Sequence, residues 1–300
     1  MTRRSILVVL VVATAAGLAA VAAVGLLGDD DASPGTRVED TERAPVAPSK
    51  RSARVWAVGD GADGGAAAKR VADVIERTRP DRVLYLGDVY ESGTADEFEH
   101  RYDPVYGRFA AITAPTPGNH DWPNHEEGYD PYWRSANPRI PQDRHFYRFR
   151  AGGWEFLSLN TQSGLGRTSP QMRWLREQVR RPGNCRIAFW HRPYLNAGRH
   201  GDQEAVAPLW RAVRGRAALV ITGHDHNMQH FERRDGIVEL VAGAGGHGLY
   251  SSNENDPRLV WDEDDEYGAL RLDVRRGLAR FQFVDDTGKT LHRGRVRCRA

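Results

Sequence analysis

The residues most able to do chemistry in this chain stand immediately after short apolar runs. Asp60 ends Val58-Gly59-Asp60, and Asp88 ends Leu86-Gly87-Asp88. Asn119, His120 and Asp121 close Pro117-Gly118-Asn119-His120-Asp121. His191 follows Ile187-Ala188-Phe189-Trp190, and His224 and His226 follow Ile221-Thr222-Gly223. Singly, each has an ordinary explanation. A Gly-Asp pair is a common turn in which the Asp bonds its own backbone, and a histidine after a strand is a polar loop residue. Jointly they say more, because ligands of open α/β sheets bind beyond the carboxyl ends of the strands. Carboxylates and neutral imidazoles suit zinc, iron or manganese, and no thiolate stands among them.

The elements that must position these groups follow a strand–helix–strand rhythm. Apolar runs predict strands at Arg54–Val58, Arg82–Leu86, Ile112–Thr116, Trp154–Leu159, Arg186–Trp190 and Ala218–Thr222. Between the first two, Val71, Val74 and Ile75 share one face of a helix over Ala66–Thr78. Ser169 as N-cap and Pro170 at the first position start a second helix. From Met228 to Cys298 strands dominate. The acidic run Asp262-Glu263-Asp264-Asp265-Glu266 reads as a solvated loop.

The ends and the composition bound the setting. Arg3 and Arg4 precede an uncharged stretch, Ile6–Leu27. It is long enough to span a bilayer, which takes roughly 18 residues, and its small-residue run Leu18–Ala23 also offers signal-peptide cleavage sites. Residues 1–27 are thus a signal peptide or a transmembrane signal anchor. With Arg3 and Arg4 inside, the remainder faces outward, anchored to the membrane or secreted. Thr2–Leu7 also looks like a twin-arginine export signal, against two ordinary basic residues of a short leader. Residues 28–53 read as a flexible linker, rich in Asp, Pro, Ala and Ser, and 54–300 as one catalytic domain. Lys+Arg 42 against Asp+Glu 40 leaves a net charge of +2, and the arginines are scattered, so no nucleic-acid partner is expected. Cys185 and Cys298 are either a disulfide, in an oxidising compartment, or two thiols.

The set Gly59-Asp60, Gly87-Asp88, Gly118-Asn119-His120-Asp121, Trp190-His191 and Gly223-His224-Asp225-His226 resembles the calcineurin-like metallophosphoesterases, most of all their purple acid phosphatase branch and its bacterial relatives. Gly243-Ala244-Gly245-Gly246-His247 and Leu249-Tyr250 extend the likeness, which runs from about Arg54 to Cys298. The resemblance implies an α/β sandwich of two mixed β-sheets flanked by helices. It implies two divalent or mixed-valence metal ions (Fe, Zn or Mn), with Asp88 bridging them. Asp60 and His226 would complete the first site, and Asn119, His191 and His224 the second. Two dications ~3.5–4 Å apart need such a shared anionic ligand. A hydroxide between them would attack a phosphate ester. His120 would stabilise the transition state or protonate the leaving oxygen, and Asp121 would orient His120. The substrate expected is a phosphate monoester. The alternatives are a phosphodiester or nucleotide, or no substrate at all in a surface binding module.

The chain departs from the family pattern at two positions. Ala62 stands where many relatives carry a histidine ligand. Tyr90 lies two residues after Asp88 instead of three, with Glu91 in the expected place. Tyr90 either reaches a metal through a shortened loop or packs at the strand end. His200, after Gly198-Arg199, resembles a substrate-side histidine of the branch. His247 lies in a glycine-rich loop and would line the site, whereas His125 reads as loop surface.

Overall fold

The computed structural model describes residues 51–299 other than Gln142; the leader or anchor expected at 1–27, and the linker as far as residue 50, lie outside them. Among the described residues no helix is long and apolar enough to cross a membrane.

The chain runs β1 (Ser52–Val58), α1 (Ala66–Arg77), β2 (Arg82–Tyr85), and then α2 (Ala95–Glu97), which passes through a π-turn at Phe98–Tyr102 into α3 (Asp103–Tyr106). After β3 (Thr113–Pro115) come α4 (Tyr129–Ala136), β4 (Tyr147–Ala151), β5 (Trp154–Ser158), α5 (Pro170–Gln178), β6 (Arg186–Phe189), α6 (Ala207–Val213) and β7 (Leu219–Thr222). The remainder is β8 (Met228–Phe231), β9 (Val238–Ala242), β10 (Leu259–Glu263), β11 (Gly268–Arg275), β12 (Leu278–Asp285) and β13 (Thr290–Arg297). β1 starts two residues inside the stretch read as linker: Ser52 and Ala53 pair with Arg275 and Val274 of β11, a partner invisible in the local sequence. Asp262 and Glu263 end β10, so the acidic run is partly strand, and Asp264 accepts a 2.7 Å hydrogen bond from the Ser252 amide.

The strands form two mixed sheets, β13-β12-β11-β1-β2-β3 and β10-β8-β9-β7-β6-β5-β4. β1, β2 and β3 are parallel, as are β5, β6, β7 and β9. Parallel strands are covered on both faces and read as continuous apolar runs. Along β1, Val55 and Ala57 face the other sheet, while Trp56 and Val58 face α1. Along β6, Ile187 and Phe189 enter the core between the sheets, while Ala188 and Trp190 meet α5 and α6. α1 buries Ala68, Val71, Ala72, Val74 and Ile75 on one stripe and stops at Thr78. Ser169 caps α5, its hydroxyl accepting from the Met172 amide at 3.3 Å. Cys185, just before β6, is disulfide-bonded to Cys298, just after β13.

Candidate metal centre

The parallel strands of both sheets point their carboxyl ends at one place. Asp60 follows β1, Asp88 and Tyr90 follow β2, Asn119 and His120 follow β3, His191 follows β6, and His224 and His226 follow β7. At three of these ends the backbone takes the left-handed region: φ is 58° at Asp60, 67° at Asp88 and 72° at His224. Non-glycine residues hold that conformation at a cost of order 1–3 kcal/mol each, a kind of strain that gathers at functional sites. Gly118 and Gly223 allow the close approach: a Cβ on Gly118 would meet the Asp88 carboxylate, and one on Gly223 would lie 2.5 Å from Asp60 Oδ2.

Two groups of donors result. In the first, Tyr90 Oη lies 2.8 Å from His226 Nε2, 3.0 Å from Asp60 Oδ1 and 3.4 Å from Asp88 Oδ2. In the second, His191 Nε2 lies 3.1 Å from Asn119 Oδ1, 3.1 Å from His224 Nδ1 and 3.2 Å from Asp88 Oδ2. Asp88 Oδ2 belongs to both groups, while Asp88 Oδ1 accepts from the His120 amide at 2.9 Å. Tyr90 comes into place because its amide donates to Ala62 O at 3.1 Å, which ties the shortened loop to the segment after β1.

The tautomers show what the donors call for. His191 Nδ1 faces Leu86 O at 2.8 Å and His226 Nδ1 faces Gly248 O at 2.7 Å. A carbonyl only accepts, so each Nδ1 carries the proton and each Nε2 turns a lone pair inward. Nε2 of His191 then meets three more acceptors, and the single phenol proton of Tyr90 can serve one of its three neighbours. Cations resolve both conflicts, so the donor set fits a pair of metal ions. In the metal-free protein a proton on Nε2 resolves the conflict at His191. Burial pushes both carboxyls up; beside His191 and His120, Asp88 is nevertheless held well below the usual range, whereas Asp60 stays well above it, with the charge of Asp88 adding to burial. Burial alone would lower His191, but Asp88 and Asp60 push it up to about 9, a proton that a metal would displace. Burial holds His226 down at about 4 and His224 lower still, as neutral imidazoles suited to ligation.

The remaining sequence-predicted residues divide. His120 stands half-buried at the rim, Nδ1 2.6 Å from Glu91 O and its ring 4.7 Å from that of Tyr90. Asp121 does not orient it. Its fully buried carboxylate instead accepts from the amides of Asp88 (2.9 Å), Val89 (2.9 Å) and Gly118 (2.7 Å), so it ties the loops after β2 and β3 together. His247 stacks on Tyr90 at 3.9 Å, with Nδ1 3.5 Å from Asp63, and His200 stacks on His224 at 4.3 Å. His125 is half-buried against Trp122 instead of lying free on a loop.

Sequence reasoning missed several supports. Asp225, buried between the two β7 histidines, accepts from Asn196 and stands 3.5 Å from His200 Nδ1. The Tyr250 ring stacks on His226 at 3.9 Å and carries the Arg199 guanidinium 4.8 Å above it. The Glu97 carboxylate holds the loop after Tyr90 by accepting from Glu91, Ser92 and Thr94 amides. The Thr94–Glu97 capping-box spacing was a readable signal for the last of these.

Comparison with known proteins bears on this arrangement. Residues 53–228 match the model of the calcineurin-like phosphoesterases. Among solved structures, the chain resembles GAP50, the anchor in the inner membrane complex of Plasmodium, with TM-score 0.67 and 14% identity over 84% of this chain and 90% of that one. It resembles a purple acid phosphatase from yellow lupin seeds with TM-score 0.67 and 13% identity, covering 85% of this chain and 55% of the lupin chain, just over half its length. It also resembles a dimetal phosphatase from Danio rerio, with TM-score 0.55 and 15% identity over 81% and 98%. At these identities the structural likeness speaks for the sandwich, and the family match, which spans more than half of the chain, speaks for descent. This chain belongs to the calcineurin-like phosphoesterases.

Proposed function

We propose that the protein hydrolyses phosphate monoesters with a pair of metal ions. Asp60, Tyr90 and His226 would hold one ion, Asn119, His191 and His224 the other, and Asp88 both. The observation that carries this reading is the sharing of Asp88 Oδ2 between two convergent donor groups. When bound, the pair supplies Lewis-acid stabilisation of the phosphoryl group and lowers the pKa of an attacking water.

The chain's own residues do the rest. His120 donates Nδ1–H to Glu91 O, which fixes the ring and leaves Nε2 to hold or pass the proton of the leaving oxygen. Arg192, next to His191, and Arg199, over Tyr250, add permanent positive charge around the donors. That favours the doubly charged phosphoryl group of a monoester over the singly charged diester. His200 and His247, stacked on members of the two donor groups, would contact the substrate at the rim.

The test is turnover of p-nitrophenyl phosphate and of its bis-ester by protein loaded with iron, zinc or manganese, beside Asp88→Asn. Metal-dependent monoester hydrolysis absent from the variant is the expected result. A higher kcat/KM for the bis-ester would replace the monoester reading with a diesterase. No turnover by folded, metal-loaded protein on either ester would favour a binding role.

We further propose that the domain works outside the cytoplasm, held by or released from the N-terminal apolar segment. The Cys185–Cys298 bridge supports this, since disulfides persist in oxidising compartments. Protease accessibility of the domain in intact cells, with an enzyme that cannot enter them, tests it; protection in intact cells and digestion only after lysis would sink it.

A further inference from the structure

Away from the two donor groups, the segment between β3 and β4 gathers His125, Asp130 and His145. One donor atom from each lies within 4.8 Å of the other two, and all three side chains are half-buried. His145 Nε2 meets Asp130 Oδ1 at 2.6 Å, an ion pair that would be complete by itself. The ion pair does not account for His125. The His125 ring lies flat on Trp122, centroids 4.0 Å apart and planes within 5°, and Trp122 also meets the edge of His145 at 5.1 Å. His125 Nδ1 lies 2.7 Å from Trp122 O, so Nδ1 is the protonated nitrogen and Nε2 keeps its lone pair. A ring nitrogen fixed by a backbone carbonyl, with the other left free, is the usual state of a metal-bound histidine.

The backbone holds His125 and Asp130 together independently of any ion, and the Asp130 carboxylate holds His145. The Asp130 amide donates to His125 O at 2.8 Å, and the Gly128 amide to Asn124 O at 2.8 Å. The turn is pinned to the loop after β2 by Asn124 Nδ2, which donates to Ser92 O at 2.8 Å. The ligand types are therefore preassembled on a tight turn, the start of α4 and the approach to β4.

We propose that His125, Asp130 and His145 form a separate mononuclear site for a divalent transition metal. Two imidazoles and one carboxylate match zinc, with a fourth position left for water, and do not match calcium or magnesium, which take oxygen ligands. The ion then fastens the turn that begins one residue beyond Asp121, where it braces the loop that carries His120. The site does not depend on the phosphatase reading.

Full chain stripped with chelator, then equilibrated with zinc and freed of excess, is compared with His125→Gln for bound zinc by elemental analysis. His125→Gln leaves the His145–Asp130 pair intact and touches none of the strand-end donors. The wild type is expected to hold about one more equivalent of zinc than the variant. With cobalt substituted for zinc, the difference spectrum should show the visible bands of a four- or five-coordinate ion. A His145→Gln variant should lose the same equivalent. Equal metal content in wild type and both variants, all folded by circular dichroism, would overturn the proposal.

Discussion

Replacing both cysteines, Cys185→Ser with Cys298→Ser, tests how the fold is stabilised without touching the site. The bridge closes a loop of 113 residues. In the chain-entropy treatment the loss on opening it is 2.1 + 1.5R ln n cal/mol/K, about 16 cal/mol/K here, or ~5 kcal/mol at 25 °C. The native ends have other ties: the Asn184 amide donates to Arg299 O at 2.8 Å, the Arg299 amide to Asn184 Oδ1 at 2.7 Å, and the Cys298 amide to Gly277 O at 3.2 Å. The folded state should therefore keep its shape, and the loss should fall on the denatured ensemble. For a domain of this size ~5 kcal/mol corresponds to a drop in Tm of ~10–20 °C. Urea unfolding of metal-free protein should show a lower midpoint and a larger m-value, because the freed chain expands further. Metal content at 25 °C should not change. A loss below about 1 kcal/mol, or an unchanged m-value, would refute the loop-closure reasoning. A loss of bound metal would show that the bridge shapes the distant strand ends as well.

Other perturbations read different parts of the molecule. Tyr90→Phe removes the hydroxyl that reaches Asp60, His226 and Asp88; protein loaded with ferric iron should absorb visible light through phenolate-to-iron charge transfer, and the variant should be colourless. Equal colour in both would exclude Tyr90 from the metal. Glu239, buried under the amides of Tyr194 and Leu195, is pushed up to about 8 by burial, against the pull of those amides. Its folded value exceeds the unfolded one, so its contribution is complete below about 4.5 and is lost as pH rises through about 8. The stability difference between Glu239→Gln and wild type should accordingly move in the variant's favour across that window, and a flat difference in urea titrations would refute the assignment. Chelation should lower Tm, since Asp60 and Asp88 then face each other without cations; an unchanged Tm on metal removal would show that no ion was held.

The strands that carry the site were legible because they are buried on both faces: Arg186–Trp190 and Ala218–Thr222 read as apolar runs, and the metal-binding residue types stood just beyond. β4 was not, although Tyr147 and Phe149 alternate with the more exposed Arg148 and Arg150, because the pattern is short and rich in charge. The π-turn at Phe98–Tyr102 was hidden for another reason. Its aromatic residues are placed by contacts with Tyr85, Tyr132 and Trp133, none of them close in sequence. Within the site, strand-end position picked out the side chains that converge, but not the role of Asp121. Adjacency suggested that it serves His120, and only the fold brings the amides of Asp88 and Val89, more than thirty residues away, onto its carboxylate. The geometry around Tyr90 was equally out of reach, because it turns on a hydrogen bond from its amide to Ala62 O, in the segment after the neighbouring strand.

The placement of the disulfide has a mechanical consequence. Cys185 and His191 sit at opposite ends of β6, six positions and about 20 Å apart along an extended strand. The bridge rivets the second sheet to the last strand of the first. At the other end Asp60, Asp88 and Asn119 come from the first sheet, and His191, His224 and His226 from the second, so bound ions would rivet the sheets there as well. Two layers riveted at both ends resist sliding far better than layers riveted at one. A load applied between β6 and β13 would then be borne by covalent and coordination bonds, with the apolar interface between them spared the shear.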